Sequence, residues 1–158
     1  MKFDMYQVEQ YCERNGIRLT ERRKQVLSEL LQSEKALSAY ELIADCNKTG
    51  EKNISAMSIY RILQYLESQR LIHRLNLTNK YVACSHIACE HGHLTSQFLI
   101  CGGCSKVKEV SVSASTISAL KASVEDAGFN LISPHLELKC LCGSCSKEQV
   151  TKKSVDKR

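Results

Sequence analysis

Ser55-Ala-Met-Ser-Ile-Tyr-Arg-Ile-Leu-Gln-Tyr-Leu-Glu-Ser-Gln69, with Leu71-Ile-His-Arg-Leu75 and Tyr81-Val-Ala83 close behind, is the stretch whose reading decides the fold. In its first part Ile59, Ile62, Leu63 and Leu66 recur at helical spacing, and Ser55 stands where an N-cap belongs. The period then changes. Leu71–Leu75 and Tyr81–Ala83 are short strand-like runs, and Asn76–Lys80 between them carries the turn chemistry of a hairpin. A helix feeding directly into a hairpin is the end of a winged helix-turn-helix if further helices precede it.

They do. Residues 4–15 form a helix with Asp4 as cap, Met5, Val8 and Cys12 on one face, and Gly16 behind it. A second helix starts at Thr20 with the stripe Val26, Leu27, Leu30 and Leu31. Ser38-Ala-Tyr-Glu41 reads as a capping box, which opens a third helix ending near Lys48-Thr49-Gly50. Residues 84–97 lack a period and are rich in Cys, His and Gly. Beyond them the pattern predicts strands at 98–101 and 106–112 and a helix at 115–127 with Ile117, Leu120 and Val124 on one face. A strand from His135 to Cys140 follows, with Leu136 and Leu138 alternating with Glu137 and Lys139. The fold class is α+β. A winged-helix DNA-binding domain covers 1–83, a hinge and metal-binding loop 84–97, a small α/β domain 98–146, and a disordered basic tail 147–158. No internal repeat or low-complexity segment interrupts this order.

The 158 residues are 43% hydrophobic and 25% charged, a globular balance. The opening MKFDMYQVEQ carries an acid and polar groups where a signal peptide is apolar, and no apolar run approaches membrane-spanning length. A cytoplasmic protein without a membrane partner is expected. Nine cysteines in that compartment need a reason other than disulfides. Seven of them, and all five histidines, lie at or after His73, whereas seven of eight arginines lie before residue 84. Such a division points to two tasks on one chain. The net charge of +5 agrees with nucleic acid as a partner and does not demand it.

Cys101-Gly-Gly-Cys104 and Cys142-Gly-Ser-Cys145 are two C-x2-C pairs with 37 residues between them. The glycines allow the tight turn that aims both sulfurs at one ion, and four thiolates complete a tetrahedron suited to zinc. The competing reading is a pair of redox motifs. Cys140 lies on the same side of its strand as Cys142 but is surplus to a full tetrahedron, and reads as a small buried cysteine. A second cluster comprises His73, Cys84, His86, Cys89, Glu90, His91, His93 and Glu109. Any one of these histidines alone reads as a loop residue, the group as a metal site. Spacing leaves open which four act.

On the predicted fourth helix, Met57, Arg61 and Gln64 lie opposite the core face, flanked by Ser58 and Tyr60. Arg binds guanine bidentately, and the hydroxyls and the amide suit phosphate or base edges. Tyr40 stands at the start of the third helix. Arg18, Arg22, Arg23 and Lys24 gather at the start of the second, as phosphate ligands or as a solvated face.

The arrangement Arg18-Leu-Thr20 with Arg23, Ser38-Ala-Tyr-Glu-Leu42, Ser58-Ile-Tyr-Arg-Ile-Leu63, Cys101-x2-Cys104 followed by Val107, and Cys142-x2-Cys145 resembles the ferric uptake regulator family over residues 5–146. Ser38-Ala-Tyr40 and Tyr81-Val-Ala-Cys84 are most similar to its zinc uptake regulators. The resemblance implies an obligate homodimer through the second domain and two zinc ions per chain, one structural and one regulatory. It also implies regulatory ligands at His73, Cys84 and Glu109 with a loop histidine, which His93 matches best and His91 next. DNA contacts would come from Tyr40, Ser58, Tyr60, Arg61 and Arg23. The chain departs from the family at Glu21, where a proline is usual, and carries about two extra residues between Cys84 and Cys101. Ser96-Gln-Phe-Leu-Ile100 lacks the histidine run of the iron-sensing branch. The implied function is zinc-responsive repression of zinc-uptake genes through palindromic operator DNA, with no small-molecule substrate. The alternatives are iron or peroxide sensing, or a zinc-ribbon redox or interaction module. A zinc enzyme lacks its signatures: there is no H-E-x-x-H, and Ile100 stands where a deaminase has proline.

Overall fold

The structure, a computed structural model, describes residues 4–49, 53–87, 96–132 and 135–147. The chain divides into two compact units, Met1–His91 and Gly92–Arg158. No helix among the described residues is long and apolar enough to cross a membrane.

The first unit holds α1 (Met5–Arg14), α2 (Glu21–Gln32), α3 (Ala39–Thr49), α4 (Ala56–Ser68), β1 (Ile72–Leu75) and β2 (Lys80–Ala83). Each helix start follows local chemistry. Asp4 and Gln7 form a reciprocal capping box on α1. On α3 the Ser38 N–H donates to the Glu41 carboxylate at 2.7 Å, and the Glu41 N–H donates back to the Ser38 hydroxyl at 3.1 Å. Thr20, its backbone extended, occupies the cap of α2 without a side-chain hydrogen bond, and the helix itself begins at Glu21, one residue later than expected. Gly16 ends the α1 segment at φ +67°, a left-handed conformation that costs glycine little.

Val8, Cys12, Val26, Leu27, Leu30, Leu42, Cys46, Ile59, Leu63, Leu66 and Ile72 are buried together. Burial of these side chains, worth roughly 1.5–3 kcal/mol for each large one, sets how the helices pack. Two polar devices aim the elements more finely. Asn47 accepts from the Ile54 N–H at 2.7 Å and donates to its carbonyl at 3.4 Å, so the α3–α4 connection is gripped just before the α4 cap. The hairpin pairs His73 with Val82 and Arg74 with Tyr81. It is tied to the start of α3 by the Leu37–Tyr81 bridge and by Lys80, whose ammonium reaches Glu41 at 3.0 Å.

The second unit holds β3 (Ser96–Cys101), β4 (Val107–Ser111), α5 (Ala114–Asp126) and β5 (Leu136–Cys140), in a sheet of order β4-β3-β5. β3 runs antiparallel to β4 and parallel to β5. One expectation, a buried Cys140, is corrected here. Along β5 burial runs against polarity: the Glu137 side chain is 6% exposed while Leu138 is 46% exposed. Register explains it: Glu137 lies opposite the fully buried Phe98 and meets His135 at 3.0 Å, and the leucine face is left open within the chain. Cys140 is exposed, not buried, because it shares that open face on an edge strand. α5 is capped by Ser113, and none of its residues is buried, although Ile117, Leu120 and Val124 are half-covered.

Candidate metal centres and nucleic-acid face

The four cysteines of the two C-x2-C pairs converge. β3 ends at Cys101 directly opposite Cys140, so parallel pairing carries the second pair alongside the first. The Gly102 N–H donates to the Cys140 carbonyl at 2.8 Å, and Cys101 receives the Cys142 N–H on its sulfur at 3.3 Å. Ser105 closes the first turn at φ +61°. All four Sγ atoms lie within 4.8 Å of one another, and those of Cys104 and Cys142 are 3.7 Å apart. Sulfurs about 2.3 Å from one tetrahedral zinc ion stand about 3.8 Å apart, so the donor set fits the metal.

Electrostatics says the same. Backbone N–H groups of Cys142, Cys104 and Gly103 bring the Cys101 thiol down to about 6. Cys142 is lowered too, first by the Cys145 N–H. Cys145 is then pushed up to about 12 by the adjoining sulfurs, Cys142 foremost. Four thiolates this close need a cation to coexist.

Of the second cluster, His73 and Cys84 lie in the first unit. His73 is on β1, half-buried, and Cys84 follows β2, buried, with its N–H on the Leu71 carbonyl at 3.0 Å. A ring nitrogen of His73 and the Cys84 sulfur are within 4.8 Å of each other, and that sulfur accepts the His86 N–H at 3.4 Å. This is a nitrogen–sulfur pair at the base of the hairpin. Glu109 lies in the second unit, on β4 opposite Phe98, and accepts from the Ser96 hydroxyl. His93, His91, Cys89 and Glu90 lie outside the described residues, as do most of the 84–97 loop and residues 148–158.

Along α4, Met57, Tyr60, Arg61 and Gln64 are exposed, and Tyr40 at the start of α3 is 81% exposed. On α4 itself Tyr60, 52% exposed, shares the outward side with Arg61 and Gln64, a candidate face for a polar partner. Ser58 is less free. Its hydroxyl lies 3.0 Å from that of Ser55 in the helix cap. Arg23 is engaged inward. Its guanidinium lies over the Tyr65 ring, 3.4 Å from the centroid, and donates to the Arg18 carbonyl at 2.7 Å. Sequence reasoning did not find Tyr65, which patterning leaves between the core and outer faces of α4. Nor did it find Lys80 as a partner of Glu41, whose carboxyl is lowered to about 2, first by the Ser38 N–H and then by the Ser38 hydroxyl and Lys80. A pairing across 39 residues leaves no local mark.

Residues 14–139 match the model of the ferric uptake regulator family. The zinc uptake regulation protein of Escherichia coli is 32% identical over 139 residues, which cover 88% of this chain and 79% of that one. The ferric uptake regulation protein of Helicobacter pylori is 34% identical over 96 residues, 61% of each chain. Among solved structures, a zinc uptake regulator complexed with zinc and DNA superposes with a TM-score of 0.79 at 28% identity, over 92% of this chain and 95% of that chain. Holo XcZur gives 0.74 at 29% identity, over 90% and 96%.

Proposed function

The chain belongs to the ferric uptake regulator family, and from that premise we propose that it is a zinc-responsive repressor of zinc-uptake genes, binding palindromic operator DNA as a homodimer when loaded with zinc. The observation that carries the metal choice is the His73–Cys84 pair at the base of the hairpin. A thiolate and an imidazole suit zinc, whereas an iron or manganese sensor is better served by imidazole and carboxylate. In sequence the zinc uptake regulation protein also matches over more of the chain than the ferric uptake regulation protein does, 88% against 61%.

In this reading the chain holds two zinc ions. Cys101, Cys104, Cys142 and Cys145 keep a structural one. His73 and Cys84 from the DNA-binding side, with His93 and Glu109 from the other, hold the regulatory one. Zinc there supplies a link across the hinge at 84–97. The protein's own residues do the rest. Cys84 and His73 anchor the link to the hairpin, and Lys80 and Tyr81 tie the hairpin to α3. α4 offers Arg61 and Tyr60 to base edges, with Tyr40 and Ser58 toward the backbone. Residues 98–146 form the dimer through the apolar stripe of α5 and the open leucine face of β5. A palindrome presents its half-sites at a set distance, so a dimer whose two α4 helices are held at that distance binds far better than one whose helices wander.

The deciding experiment is operator binding titrated against free zinc, with ferrous iron and manganese in parallel. Zinc alone should raise affinity at sub-micromolar free metal. An equal response to iron would move the protein to the iron-sensing branch. Zinc-independent binding with peroxide-sensitive thiols would favour a redox role.

A further inference from the structure

Arg18, Arg23 and Tyr65 make a closed circuit inside the first unit. The Arg18 N–H donates to the Tyr65 hydroxyl at 3.2 Å, and the Arg18 carbonyl accepts from the Arg23 guanidinium at 2.7 Å. That guanidinium lies over the Tyr65 ring at 3.4 Å from its centroid, a cation–π contact. Both main-chain polar groups of Arg18 are thus committed, while its side chain is exposed. Tyr65 is one helical turn beyond Arg61 on α4, so the two lie on one side of that helix. The circuit locks the loop before α2 to the helix that carries Arg61.

We propose that Arg23 and Tyr65 are positioning residues. They hold the Arg18 guanidinium at a set distance from Arg61, so that Arg18 takes a backbone phosphate beside the groove that Arg61 reads. The inference rests on the DNA-binding reading above and assigns Arg23 a task other than direct contact. Its physical basis is preorganisation. An arginine on a free loop loses loop and side-chain entropy when it meets a phosphate, whereas one with its main chain already pinned loses the side-chain part alone. Phosphates recur at fixed intervals along a strand, so a pinned arginine also adds register. A guanidinium suits the clamp because it can stack on a ring by its face while donating from its edge, which an ammonium cannot do.

The test uses the zinc-loaded dimer and a duplex that the wild-type protein selects from a random-sequence pool, with affinity measured by anisotropy across a salt series. Each phosphate contact contributes about 0.9 to the slope of log K against log salt. Arg18→Ala should lower that slope by about 2 per dimer while keeping the sequence preference, whereas Arg61→Ala should relax the preference. Tyr65→Phe keeps the ring for Arg23 but removes the oxygen that receives the Arg18 N–H. It and Arg23→Ala should each lower the slope in the same sense, and Arg18→Ala with Arg23→Ala should lower it no further than Arg18→Ala alone. Wild-type slopes in Tyr65→Phe and Arg23→Ala, or additive losses in the double variant, would overturn the inference while leaving the regulator intact. Should Arg23→Ala fail to fold, Tyr65→Phe decides by the same slope. A wild-type dimer that selects no sequence when zinc-loaded would overturn the regulator reading, and this inference with it.

Discussion

A Cβ added to Gly103 would sit 2.8 Å from the Cys145 sulfur, closer than real contacts allow, and 3.0 Å from its Cβ, which is tighter than most. Gly102, next to it, would place a Cβ no nearer than 3.6 Å to the Lys139 side chain. The two glycines of one turn therefore differ in kind. Gly103→Ala should push Cys145 out of the tetrahedron, and Gly102→Ala should not. Metal analysis after gel filtration checks this: zinc should fall by one ion per chain in the first variant and stay unchanged in the second. Glu41 is the other residue whose environment carries a prediction. Its carboxyl is lowered from 4.5 to about 2 by the Ser38 N–H, the Ser38 hydroxyl and Lys80. A carboxyl lowered on folding stabilises the folded state in its ionised form. That contribution is whole above about pH 4.5 and is lost as pH falls toward 2. Glu41→Gln should be less stable than wild type near neutrality, by a gap in urea midpoint that narrows below about pH 4.5 and closes only as pH nears 2. A gap that is constant from about pH 6 to about pH 3 would show that the carboxylate is not the source.

Among the elements, α4 and α5 pose opposite problems. α4 buries Ile59, Ile62, Leu63 and Leu66 on one side and leaves Met57, Tyr60, Arg61 and Gln64 open on the other, the face that the proposed function gives to DNA. α5 has the apolar spacing of a core helix but buries nothing within its chain. Ile117, Leu120 and Val124 at helical spacing are thus a stripe that a second copy should cover. Leu120→Glu is then expected to cost little in the fold of the single chain and much in assembly. Light scattering should find a monomer at micromolar concentration, with the four-cysteine zinc retained. A dimer of wild-type stability would move the interface elsewhere. The hairpin is a third case. Two strands alone are marginal, and this pair is held by the Leu37–Tyr81 bridge and the Lys80–Glu41 ion pair.

On the scale of the whole molecule, the two metal sites should differ in what they do when emptied. The four-cysteine site lies within one unit, where bound zinc would contribute folding free energy. On the proposed reading the regulatory site takes ligands from both sides of the hinge, so zinc there would have to offset the ordering of two units and should leave first on chelation. Cys84→Ser and His93→Ala should each keep a folded dimer with one zinc per chain, and each should lose the zinc-dependent gain in operator affinity, on the order of 1–3 kcal/mol. His91→Ala belongs beside them. If it abolishes the response and His93→Ala does not, His91 is the loop ligand. If none of the three changes the response, the sensor lies elsewhere.

Period, caps and spacing were enough for the order of elements, the hairpin after α4, the four cysteines and the outward face around Arg61, because each is written locally. Helical spacing lies within a turn, a capping box within four residues, and a C-x2-C pair within one loop. Tertiary structure decided what depends on register and on distant partners. Glu137 is covered and Leu138 open because β5 meets β3 in the register that puts Glu137 opposite Phe98. Cys140 is exposed because its strand is an edge. Arg23 turns inward because Tyr65, 42 positions away, offers it a ring, and an arginine that could serve DNA or a neighbouring aromatic looks the same in sequence. Side-chain identity sets what a residue is able to bind, and only packing sets which partner reaches it first.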